Sequence, residues 1–129
     1  MNFEKLTIKA QQAVPHAVDR AMSLEQQAVT PVHLLAGVLQ VGENVTQFIF
    51  GKLGVNEHVL QTAIDNELKH QPRVSGGQPY LSTESDRVMV QAEKTATANG
   101  DTYVGLEPLL MALLEVKSVA SQMLKDAGM

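Results

Sequence analysis

The feature that most constrains this chain is that it repeats itself. Leu6, Thr7, Ala17, Ala21 and Val29 recur 75 residues later as Leu81, Ser82, Ala92, Ala96 and Val104, and the pair Leu34-Leu35 recurs as Leu109-Leu110. After one deletion the offset becomes 74, which places Val45 on Val119 and Gly54 on Gly128. Solenoid units are shorter and come in more copies, so the pattern predicts a duplicated unit folded as a pseudo-twofold globule. The expected layout is one domain over 1–129. Copy one spans about 1–69, a linker about 70–80, and copy two about 81–129, which stops where its fourth helix is due. That stop predicts a piece of a longer protein.

Each copy carries helix signals and no strand signal. Thr7 and Ser82 can cap a helix, because a side-chain oxygen accepts from the free N–H groups of a first turn. Behind Thr7, residues Ala10, Ala13, Val14, Ala17, Val18 and Ala21 recur at helical spacing. Behind Ser82 the stripe is Ser85, Val88, Met89, Ala92 and Ala96. Pro15 lies inside the first helix and predicts a bend near Gln11-Gln12. Second helices are expected over Val32–Gln40 and Glu107–Val116, apolar nearly all round and therefore central. Third helices follow at Val45–Lys52 and Val119–Ala127, closed by Gly54 and Gly128, and Asn56 caps a fourth in copy one. The fold class expected is all-α, with seven to eight helices and no sheet. His70–Pro79, with Gly76-Gly77 and two prolines, reads as a connecting loop.

Composition removes several function classes. There is no cysteine, which excludes disulfides, thiol catalysis and Cys-ligated metal. A net charge of −4 without a Lys/Arg run offers no footprint for nucleic acid. The longest apolar run, Leu109 to Leu114, is far short of the roughly 20 residues that span a bilayer, and the N-terminus lacks a signal-peptide block. The expectation is a soluble, cytoplasmic protein with no membrane or nucleic-acid partner.

Catalytic patterns are equally thin. Gly51-Lys52 lacks the glycine five residues upstream and the following Ser/Thr of a phosphate loop. His16, His33, His58 and His70 include no pair at i, i+4 spacing, so the structural reading leads: His33 buried and bonded, the others solvated. No G-x-S-x-G elbow occurs, and Asp101, Glu107 and Glu115 read as solvated or helix-end charges before an acid/base pair. The chain reads as a binding unit, not an enzyme. A crevice between the copies is the natural ligand site, and Met89 and Val90 supply apolar side chains beside Asp86, Arg87 and Lys94.

The segments LTIKAQQAV, TPVHLLAGVL and FIFGKLGVN, echoed as LSTESDRVM, GLEPLLMALL and MLKDAGM, resemble the Clp N-terminal domain of ClpB-type AAA+ disaggregases over essentially the whole chain. The resemblance implies an all-helical, pseudo-twofold unit of about eight helices that helps engage unfolded or aggregated polypeptide for a downstream ring. It implies that ATP and magnesium belong to absent ATPase modules, with no cofactor or metal in this chain. It also implies a DnaK-type partner system reached through missing regions, a homohexamer at full length, and a monomer for the isolated domain. The family's polar set maps to Thr7, Asp101 and Glu107, and its groove between the first and fifth helices to Met89, Gln91 and Pro108, where Gln91 and Pro108 replace leucines; Val90 joins the candidate binding residues from its place beside Met89. The alternative is a ClpC- or ClpA-type domain that docks adaptors or phosphoarginine-tagged substrates. That pattern wants a carboxylate just before the histidine of each second helix; here the positions hold Val32 and Glu107.

Overall fold

The computed structural model describes residues 3–74 and 76–129. A 3₁₀ turn (Phe3–Lys5) leads into α1 (Ile8–Ser23), β1 (Ala28–Val29), α2 (Pro31–Val41), α3 (Glu43–Leu53) and α4 (Glu57–His70). After a loop come β2 (Tyr80–Leu81), α5 (Thr83–Ala98), α6 (Leu106–Glu115) and α7 (Val119–Asp126). The seven α-helices among the described residues match the all-α expectation to within a few residues at each end.

The local signals act where they were read. The Thr7 side chain accepts from Ala10 N–H at 3.2 Å, and Ser82 accepts from Ser85 N–H at 3.1 Å. Asn56 caps α4 by accepting from Val59 N–H, and Gly54 closes α3 in the left-handed conformation at φ 72°. Helix α1 runs unbroken through Pro15, which lies on the exposed side, where water can serve the carbonyl that loses its N–H partner. Helices α2 and α6 form the centre: Leu34, Leu35, Leu109, Leu110 and Leu113 are all buried. Each such leucine contributes roughly 1.5–3 kcal/mol by leaving water.

The expectation of no sheet is corrected. Ala28-Val29 pairs in parallel with Tyr80-Leu81, and Leu6 bridges Val104. These pairings are twofold partners of each other, because Leu6 corresponds to Leu81 and Val104 to Val29. The hydrogen bonds repeat too, with Thr7 N–H on Val104 C=O and Ser82 N–H on Val29 C=O, both at 3.0 Å. Each copy therefore lends the residues ahead of its long helix to the other copy. Such short strands carry no periodicity of their own, since their partners lie across the duplication.

Glycines in helices are not equivalent. Gly51 lies within α3 with open space where a Cβ would project. Gly51→Ala is expected to raise stability by roughly 0.5–1 kcal/mol, because alanine loses less backbone entropy in a helix. A rise in urea midpoint at unchanged slope is the readout; a fall would contradict the open geometry.

Candidate functional site at the junction of the copies

The exchanged backbone bonds bring the start of α1 against the loop before α6. Thr7 N–H donates to Val104 C=O at 3.0 Å, and Val104 N–H donates to Lys5 C=O at 2.7 Å. Between them opens a recess of about 460 Å³, lined by Thr7, Lys9, Val45, Asp101, Thr102, Tyr103, Gly105, Leu106, Glu107 and Pro108. Leu106 and Pro108 are buried and form an apolar floor, while Lys9, Asp101 and Glu107 are exposed at the rim. Two large apolar side chains lie close by in sequence, Ile8 at 76% exposure and Tyr103 at 56%.

The seven expected site residues divide among three places. Thr7, Asp101, Glu107 and Pro108 converge on this recess. Val90 and Gln91 line a separate groove of about 430 Å³ on the outer face of α5, with Arg87, Lys94 and Val116. There Gln91 Nε2 donates to Glu115 Oε2 at 3.3 Å. Met89 has no exposed surface and belongs to the core, which corrects its assignment to a groove. The reason is helical geometry: Met89 lies four residues after buried Ser85 and three before buried Ala92, whereas Val90 is turned one step toward solvent. Lys9, Tyr103 and Leu106 were missed in the recess. Lys9 follows Thr7 by two residues and Tyr103 precedes the α6 cap, so proximity to Thr7 and Glu107 was the available signal.

Copy one fills the corresponding position. His33, the counterpart of Pro108, is fully buried in a chain of hydrogen bonds. Its Nδ1 accepts from Thr30 N–H at 2.9 Å, so Nε2 carries the proton and donates to Gln26 Oε1 at 2.7 Å. Gln26 Nε2 in turn donates to the Leu68 carbonyl of α4. Burial, and secondarily the Arg20 charge, lower the His33 pKa from 6.5 to about 4, so the imidazole is neutral at pH 7. His33 is thus buried and bonded as expected, its partners a backbone N–H and a side-chain amide. His16, His58 and His70 are exposed, as expected. Among the described residues no group of three or more His, Asp or Glu side chains is placed to hold a metal, and no helix is long and apolar enough to cross a membrane.

The family profile of the Clp repeat (R) N-terminal domain matches residues 5–127. The chain is 51% identical over 129 residues to the chaperone protein ClpB of Bacteroides thetaiotaomicron, covering 100% of itself and 15% of that protein. It is 44% identical over 128 residues to ClpB of Porphyromonas gingivalis, covering 99% of itself and again 15% of the relative. Among solved structures, the Hsp104 N-terminal domain from Candida albicans superimposes with a TM-score of 0.81 at 22% identity, over 97% of this chain and 83% of that one. At that identity the likeness speaks for the fold.

Proposed function

Because this chain belongs to the Clp repeat N-terminal domain family, we propose that it engages unfolded or aggregated polypeptide and passes it to the AAA+ ring of a ClpB-type disaggregase. The observation that carries the reading is the junction recess, with its apolar floor of Leu106 and Pro108, its polar rim of Thr7, Asp101 and Glu107, and exposed Ile8 and Tyr103 nearby. A shallow, half-apolar seam suits weak and promiscuous binding of extended chains, because it offers contact area without a pocket that selects one side chain. In this reading the chain makes and breaks no bonds. ATP, magnesium, hexamer contacts and the DnaK-type partner belong to the rest of a cytoplasmic parent protein. The adaptor-docking alternative is less well supported, since the position ahead of His33 is Val32, buried and apolar, leaving Glu107 alone.

Titration with a permanently unfolded protein is expected to move the amide resonances of Thr7, Tyr103 and Glu107. The double variant Asp101→Ala, Glu107→Ala should weaken binding several-fold without lowering stability, since both side chains are exposed. Resonance shifts confined to α3 and α4 would refute the reading.

A further inference from the structure

The groove on the outer face of α5 has a charge arrangement that the junction recess does not involve. Arg87, Val90 and Lys94 follow one another at i, i+3 and i+7, so they form a single stripe along the helix. All three are exposed, and Val90 stands between the two cations at 45% exposure. Val116, at the end of α6, completes the apolar floor, and the hydrogen bond from Gln91 to Glu115 ties the lining to α6.

Neither cation is in an ion pair among the described residues, and Glu84, three residues ahead of Arg87, does not pair with it. The positions three and four residues from Lys94 hold Gln91, Val90, Thr97 and Ala98, so α5 offers it no carboxylate at pairing distance. Of the groove's lining only Asp86 is acidic, which leaves two cations to one carboxylate in a chain whose net charge is −4. The duplication does not account for the stripe, because its counterparts in copy one are Gln12, Pro15 and Asp19, with no cation. The opening itself is common to both copies. Gln12, His16 and Val41, the counterparts of Arg87, Gln91 and Val116, line a recess of about 490 Å³ in copy one, where α4 is in place.

We propose that this groove docks an extended acidic segment in which an apolar side chain sits between two carboxylates, each two residues away. Side chains two apart along an extended chain share a face, so all three point into the groove. Such carboxylates lie roughly 13 Å apart, against roughly 10 Å between Arg87 and Lys94 along the helix axis, a gap that the long side chains absorb. The apolar residue covers Val90 and Val116, and each carboxylate meets one cation. A basic segment is repelled by the same stripe, which sets the chemistry of the partner. The site is distinct from the junction recess, whose rim carries Asp101 and Glu107 and so disfavours an acidic segment.

The test titrates the intact, isotope-labelled chain with a capped peptide, Ser-Glu-Ser-Leu-Ser-Glu-Ser, at millimolar concentration and low salt. The amide resonances of Arg87, Val90, Lys94 and Val116 should move. Lysines in place of both glutamates of the peptide should weaken binding about tenfold, as should the double variant Arg87→Gln, Lys94→Gln with the parent peptide. Serine in place of the peptide's leucine should weaken it about fivefold. Both substituted positions are exposed, so the urea midpoint should not change. Salt at about 0.5 M should also weaken the parent peptide, with no substitution at all. Equal binding by the lysine peptide, no loss in the double variant or in salt, or no shift at these four residues would overturn the proposal. So would movement of Val90 and Val116 on dilution without peptide, since a second copy would then fill the groove. The substrate reading is tested separately, by the unfolded-protein titration of the recess, and either can fail without the other.

Discussion

Gly37→Ala is expected to lower the stability of this fold by about 3 kcal/mol, and Gly37→Leu to prevent folding. Helix α1 presents Ala10, Ala13, Ala17 and Ala21, all fully buried, and α2 meets that stripe with Gly37. The Cβ of an alanine at 37 would stand 2.3 Å from the Ala13 carbonyl oxygen, with Ala17 N at 3.3 Å behind it. Those are backbone atoms and cannot rotate away, so the two helices must separate and lose packing along the whole stripe. Alanine's better helix propensity returns roughly 0.5–1 kcal/mol and does not reverse the sign. Urea unfolding should show the loss, with a fall in melting temperature on the order of 10 °C. A Gly37→Ala protein as stable as the parent would mean that α1 and α2 do not touch at Gly37.

Gly37 also shows what could and could not be read from the chain. Its counterpart in copy two is Ala112, and Ala13 corresponds to Val88, so copy two fits larger residues at the same crossing. The duplication identified the helices and their order, because caps and apolar stripes act within a few residues. It could not show that the two crossings differ in closeness, which depends on which small residues meet across helices. The exchanged strand pairs were hidden for the same reason: each is a two-residue contact between copies. Met89 was placed correctly by its own stripe and misplaced when assigned to a groove, while Val90 beside it faces water. Thr7 lies far from Asp101 and Glu107 in sequence, and only the family resemblance brought it to them before the fold did. Their neighbours Tyr103 and Lys9 carried no signal of their own.

The asymmetry between the copies predicts a specific dependence on pH. In copy one the position that Pro108 occupies in copy two holds His33, buried, neutral and committed at both nitrogens. Protonation would turn Nδ1 from acceptor to donor against the Thr30 N–H, inside the protein and within reach of the Arg20 charge. The folded chain therefore binds this proton only near pH 4, whereas the unfolded chain binds it near 6.5. Between those values the unfolded state holds more protons, so stability rises with pH across the window and falls on acidification. The full loss from this one group is about 3 kcal/mol, complete near pH 4 and absent above pH 7. The measurement is a difference against a variant that lacks the imidazole. Urea unfolding of the parent and of His33→Gln is compared at pH 7 and pH 4.5. Glutamine is chosen because it can still reach back to the Thr30 N–H from the third helical position without titrating. The variant is expected to start less stable at pH 7, because the Gln26 amide loses its imidazole partner, and then to lose about 2–3 kcal/mol less than the parent on going to pH 4.5. Equal losses in both proteins would show that His33 does not carry the acid sensitivity of the fold.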